Sequence, residues 1–193
     1  MTETSAAETT RTPRLLRPVV LIGLMGAGKS SVGMRLAATL RVPFVDSDDE
    51  IVAAANMPIA EIFERYGEPH FRSGERRVID RLIGEAPQVI ATGGGAFMDP
   101  ETRAAIKARA TSVWLSASLD LLVQRTAGRS HRPILNRGNP RQILAGLIAE
   151  RYPIYSQADI EVASRAGQTH EDMAARIIKA LRRHGKAIEA GGA

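Results

Sequence analysis

The sequence predicts an α/β fold with a mostly parallel sheet covered on both faces. Five short apolar runs alternate with stretches of helical spacing, and two of the runs end directly in glycine. The chain has 193 residues, 44% of them apolar and 24% charged, which suits one globular domain.

The elements follow in order. Residues 1–17 are expected to be a disordered leader rich in Thr, Glu and scattered Arg. The ordered pattern begins at Pro18, so 18–193 is expected to be a single domain. Val19–Ile22 is β-branched and apolar and stops at glycine, which predicts a buried strand. From Lys29 to Leu40, apolar residues recur at Val32, Leu36, Ala37 and Leu40, a helical spacing. Val42–Val45 predicts a second strand. Ser47 then opens an acidic first turn, a helix-start signal. Asn56, Pro58 and Gly67-Glu68-Pro69 punctuate the stretch before a long helix over Phe71–Ile83. Gln88–Thr92 predicts a strand, Pro100–Arg109 a helix, Ser112–Leu115 a strand and Leu119–Arg125 a helix. Residues 126–140 hold two Gly, two Pro and three Arg, and predict a long loop. Gln142–Glu150 is helical, Ile160–Ala163 a fifth strand, and Thr169–Arg183 a closing helix.

Composition excludes several functions. There is no cysteine, hence no disulfide and no thiolate metal site. No apolar run approaches the ~20 residues of a membrane-spanning helix, and the N-terminus lacks the apolar stretch of a signal peptide. A cytoplasmic protein without a membrane partner is expected. The charge is 26 basic against 21 acidic, a net +5, and only four of the basic residues are Lys. Aromatics are only 4%, and none interleave with Arg as a base-stacking surface would require, so no nucleic-acid partner is expected.

Gly23-Leu24-Met25-Gly26-Ala27-Gly28-Lys29-Ser30 fits G-x-x-x-x-G-K-[ST] between a strand and a helix. Glycines let the backbone N–H groups turn inward on phosphate oxygens, and the following helix adds its positive end. Lys29 can reach the β- and γ-phosphates, and the Ser30 hydroxyl can ligate Mg²⁺. A nucleoside-triphosphate site follows, though the reaction does not. Strand two ends in Asp46-Ser47-Asp48, two carboxylates on one side of an extended backbone. Because the third strand ends in Thr92 and then glycine, Asp46 is the candidate carboxylate for the metal, leaving Asp48 for a substrate hydroxyl. Helix capping competes: Ser47 with Glu50 matches a capping box, which accounts well for Asp49 and Glu50 and poorly for Asp46. Gly93-Gly94-Gly95 suggests a close approach to the backbone, with N–H groups free for an anion or hydroxyl. Arg125, Arg129, Arg132 and Arg137 surround the 126–140 loop, which reads equally as a lid or as a surface linker. Nothing in composition or periodicity separates Arg72 or Arg151 from the other arginines.

Taken together, Gly23–Ser30, Asp46-x-Asp48, Phe71-Arg72, Gly93-Gly94-Gly95, Arg132-Pro133-Ile134-Leu135 and Arg151-x-x-x-Tyr155 resemble the motifs of the shikimate kinases, in order and at similar spacing, over residues 19–165. The resemblance implies the fold of nucleoside monophosphate kinases: α/β/α layers on a five-stranded parallel sheet of order 2-3-1-4-5. It implies a substrate-binding segment near 47–75 and a lid near 126–140. It also implies transfer of the γ-phosphate of ATP to the 3-hydroxyl of shikimate, in aromatic amino-acid biosynthesis. Lys29, Asp48 and Arg132 would be catalytic. Gly26, Ala27, Gly28, Lys29, Ser30, Ser31, Arg125 and Arg132 would hold nucleotide, Arg125 along the adenine. Asp48, Arg72, Gly93, Gly94, Gly95 and Arg151 would hold shikimate, and Ser30 and Asp46 would hold Mg²⁺. ATP and shikimate are the expected partners of a monomer. Ser31 departs from the pattern, standing where many members have Thr. The basic cluster Lys179, Arg182, Arg183 and Lys186 lies beyond the resemblance and reads as a helix C-terminal charge preference. A gluconate-type sugar-acid kinase and a non-catalytic nucleotide switch are the alternatives. Asp46-x-Asp48 with the triple glycine argues against the first.

Overall fold

Why the chain makes this sheet is plainest in its central strand. In the computed structural model, which describes residues 13–127, 138–185 and 187–189, strand β2 (Val19–Ile22) is buried at every position. Val19 and Leu21 enter one core while Val20 and Ile22 enter the other, the two-residue period of a strand covered on both faces. On one side of β2 lie β4 (Val89–Ala91) and then β3 (Phe44–Asp46). On the other lie β5 (Thr111–Ser116) and then β6 (Ile160–Ala163). All four pairings are parallel, with Val20 opposite Ile90 and Leu21 opposite Val113. Counting only the strands of this sheet, the order is the expected 2-3-1-4-5. The chain builds one side of β2 and then the other, which opens a crevice at the carboxyl ends of the central strands.

Helices α1 (Lys29–Leu40) and α7 (His170–His184) cover one face, packing Leu36, Ala37 and Ile177 on the sheet. The other face carries α2 (Ser47–Ala55), α3 (Ile59–Gly84), α4 (Pro100–Arg109), α5 (Leu119–Thr126) and α6 (Pro140–Tyr155) around Ile79, Leu82, Ile106 and Leu144. Among the described residues no helix is long and apolar enough to cross a membrane.

Three expectations need correction. The helix predicted over Phe71–Ile83 is the second of two segments of α3: Gly67 (φ 77°, ψ 172°) leaves the helical conformation, as its punctuation suggested, and a first segment from Ile59, which was not expected, precedes it. The competing capping reading rested on Ser47 with Glu50 and accounted poorly for Asp46, yet the N-cap of α2 is Asp46, whose carboxylate accepts from the Asp48 N–H at 3.1 Å. Of the segment expected to be a leader, residues 1–12 lie outside the described residues and part of the rest is in a strand. Arg14–Leu15 forms β1, which pairs antiparallel with β7 (Ile188–Glu189), and Leu15 is buried against α7's core. The expected lid falls largely at 128–137, outside the described residues.

Candidate active site

Glycines 23, 26 and 28 all take positive φ, which wraps the loop after β2 into a cradle. At Gly23 a side chain is impossible for a second reason, since a Cβ would lie 2.7 Å from the Leu115 carbonyl oxygen. The loop delivers the chain to α1 with Gly28 as N-cap and no side chain on the first-turn N–H groups. Every helix from α4 to α7 has a capping side chain there, as does α2. The positive end of α1, free of a capping side chain and of acidic residues in its first turn, is open to an anion. Lys29 Nζ bonds the Gly23 and Leu24 carbonyls at 2.8 and 3.2 Å, which ties its charge over the loop.

The carboxyl edge of β3 answers from across the crevice. Ser30 Oγ donates to Asp46 Oδ2 at 2.7 Å, so the two oxygens expected to serve a metal are neighbours. Asp46 does two jobs with one carboxylate: Oδ1 caps α2 and Oδ2 meets Ser30. Among the described residues no group of three His, Asp or Glu side chains is arranged to hold a metal. A hydroxyl and a single carboxylate fit Mg²⁺, which keeps waters and takes phosphate oxygens rather than an all-protein cage.

Asp48, in the first turn of α2, faces the glycine triplet. Burial, with Asp46 and Glu75 nearby, pushes its carboxyl up to about 6 against the pull of Lys29. Gly93 has to be glycine because a Cβ there would sit 2.8 Å from Asp48 Oδ1 and 3.0 Å from Glu75 Oε1. Arg72, from α3, bonds Glu75 at 2.7 Å and Glu68 at 3.0 Å, and its guanidinium lies over the Phe71 ring. It presses on the third glycine: a Cβ at Gly95 would stand 2.4 Å from Arg72 Nη1. From α6, Arg151 Nη1 donates to the Gly94 carbonyl at 3.0 Å. Two guanidiniums from different helices thus converge on one glycine loop, an arrangement that suits a carboxylate.

These groups line one cavity of about 620 Å³. Gly26, Gly28, Lys29, Ser30, Asp46, Asp48, Arg72, Gly93, Gly94, Gly95, Arg125 and Arg151 all reach it. Ala27 does not: its side chain packs into the core beneath the loop. Ser31 is not on the wall either. Arg132 lies outside the described residues. At Arg125 burial holds the guanidinium below its usual range, and Nη1 reaches Ser164 Oγ at 3.4 Å. Sequence reasoning missed Glu75, only 3% exposed. Burial pushes its carboxyl up while Arg72 opposes the shift. The available signal was its place three residues after Arg72 on one helix. It also missed an apolar wall of Met25, Ile59 and Phe63, and His170 at the start of α7.

Comparison with known proteins bears on the same residues. The family model described as shikimate kinase matches residues 25–182. The shikimate kinase of Paramagnetospirillum magneticum is 59% identical over 151 residues, 78% of this chain and 77% of that protein. That of Novosphingobium aromaticivorans is 53% identical over 172 residues, 87% of this chain and 89% of the other. Among solved structures, a shikimate kinase from Acinetobacter baumannii in complex with shikimate superposes with a TM-score of 0.83 at 36% identity, covering 89% of this chain and 96% of that one. A family model spanning most of the sequence, and relatives more than half identical across it, carry the conclusion that the chain belongs to the shikimate kinase family.

Proposed function

We propose that the chain transfers the γ-phosphoryl group of ATP to the 3-hydroxyl of shikimate, giving shikimate 3-phosphate and ADP for chorismate and aromatic amino-acid synthesis. The observation that carries this reading is the meeting, in one cavity, of a phosphate loop with Asp48 and two converging guanidiniums across a glycine triplet. The loop and the bare end of α1 take the triphosphate, and Lys29 moves from its own carbonyls toward the phosphates. Arg72 and Arg151 take the acceptor's carboxylate. Asp48 orients the attacking hydroxyl and receives its proton as the O–P bond to the acceptor forms and the β–γ bond breaks. Its carboxyl, pushed up toward neutrality, suits a group that must accept a proton late in the transfer. Ser30 and Asp46 would hold Mg²⁺, which when bound supplies charge neutralisation on the β- and γ-phosphates. Arg125 runs along the base, and Arg132 keeps the phosphate role that the family resemblance implies. One chain supplies the whole cavity, in keeping with a monomer. The proposed location is the cytoplasm, where the ATP that the loop takes is made.

The test is coupled ADP release with ATP and Mg²⁺ in parallel wells holding shikimate, gluconate, AMP or no acceptor. Release is expected with shikimate alone. Release without an acceptor, or only with another one, would overturn the substrate assignment and leave the nucleotide site standing.

A further inference from the structure

The glycine triplet is held from beneath by a side chain that does not reach the cavity. Tyr155 is fully buried and its hydroxyl donates to the Gly94 carbonyl. That carbonyl also accepts from Arg151 Nη1 at 3.0 Å, so both its lone pairs are taken. The phenol cannot swing away. Its ring stands edge-on to Trp114 and to Phe97, with centroids 6.1 and 6.5 Å away. Burial pushes its hydroxyl up to about 12, so it remains a donor throughout the neutral range.

A trans peptide points its N–H opposite to its C=O. With the Gly94 carbonyl drawn back into the core, the N–H of Gly95 is turned the other way, toward the cavity that the triplet lines. Neither the Gly94 nor the Gly95 N–H has a hydrogen-bond partner among the described residues. We propose that Tyr155 is a positioning residue for the acceptor: its bond to Gly94 fixes the Gly94–Gly95 peptide so that the Gly95 N–H is presented to the substrate and Arg151 is held beside it. This rests on the reading of the triplet and Arg151 as the acceptor's site.

The same helix supplies a matched control. Tyr152 donates to the Ala117 carbonyl at 2.6 Å and accepts from the Ala117 N–H at 3.2 Å, clamping the loop after β5 instead. Tyr155→Phe deletes the bond of a buried phenol to Gly94, and Tyr152→Phe the two bonds of a half-buried phenol to Ala117, each at constant ring volume. Tyr155→Phe is expected to raise the KM for shikimate at least fivefold, with the KM for ATP within twofold of the parent. Both variants are expected to lower the unfolding midpoint by a few degrees, and Tyr152→Phe to leave both KM values within twofold. A Tyr155→Phe enzyme with unchanged shikimate KM, or with both KM values raised equally, overturns the proposal. Arg72→Ala separates the two levels. If it raises the shikimate KM while Tyr155→Phe does not, only the clamp fails; if neither does, the acceptor site itself is misassigned. Amide hydrogen exchange in the parent protein tests the same point without a substitution. Saturating shikimate is expected to slow exchange at Gly95 at least tenfold, and unchanged exchange overturns the proposal.

Discussion

At Asp48 burial, and after it the carboxylates of Asp46, Glu75 and Asp49, outweigh the pull of Lys29. The folded protein therefore holds the Asp48 proton more tightly than the unfolded chain does, up to about 6 against an ordinary 3.8. For a carboxyl shifted upward, stability is retained at low pH and lost as pH rises through the folded value. Asp48→Asn removes the charge and keeps the shape. Without ligands the variant is expected to gain on the order of 1–3 kcal/mol at pH 8. The gain should fade as pH falls toward 4, while kcat drops about 100-fold or more at pH 8, the ratio to the parent narrowing below about 6 as the parent's own Asp48 takes up its proton. Urea unfolding at pH 8 and pH 4.5, beside a steady-state assay, reads both effects. Arg72 poses the opposite case, because it serves both Glu75 and the proposed acceptor. Arg72→Ala strands Glu75, whose side chain is 4% exposed, and is expected to cost about 1–3 kcal/mol and to raise the shikimate KM roughly 10- to 100-fold. The double variant Arg72→Ala, Glu75→Gln should recover most of the stability and none of the KM, which unfolding and kinetics on the same samples will show.

Two glycines show how elements, rather than single groups, set the site. Gly33 lies where α1 presses on β3: a Cβ there would come within 2.5 Å of the Phe44 ring and 3.2 Å of a Leu21 methyl. Both neighbours belong to the core, so Gly33→Ala forces the helix and the strand apart. A loss of about 1–3 kcal/mol is expected, the usual cost of overpacking, with near-parental kinetics in the enzyme that remains folded. Gly95 is equally crowded, but by the tip of Arg72, a side chain that can swing. Gly95→Ala is expected to cost under about 1 kcal/mol and to raise the shikimate KM about tenfold by displacing the guanidinium. Thermal midpoints and KM values for the pair should move in opposite proportion. The elements themselves were unequally legible. Strands β2 and β6 and helices α1 and α4 follow their apolar patterns to the residue. The first part of α3 was hidden because Pro58, Gly67 and Pro69 read as punctuation around a short stretch, whereas Gly67 separates two helical segments and the first of them fills that stretch.

Across the whole molecule, what the sequence could reveal tracks how local the cause is. The phosphate loop is contiguous, and its place between a strand and a helix was readable from eight positions. The sheet was readable too, since burial on both faces leaves uninterrupted apolar runs in β2 and β4. Glu75 was not, because a buried charge on a helix looks like a solvated one until α3 meets the glycine loop. Asp46 was read as a metal ligand rather than a cap, although one carboxylate performs the capping and meets Ser30 as well. The pairing of β1 with β7 was unreadable: two strands of two residues each, 173 positions apart between Leu15 and Ile188, leave no pattern.

That small ribbon has a consequence for how the protein can be rewired. Arg14 stands directly across from Glu189, and their side chains meet at 3.3 Å. A linker of a few residues between these positions would join the polypeptide into a ring. New ends could then be cut in the exposed turn at 85–86, before β4 and on the edge of the sheet remote from the phosphate loop. Such a circular permutant keeps every strand neighbour and every residue of the cavity. The order in which the ribosome makes these strands is therefore separable from the order in which they pack.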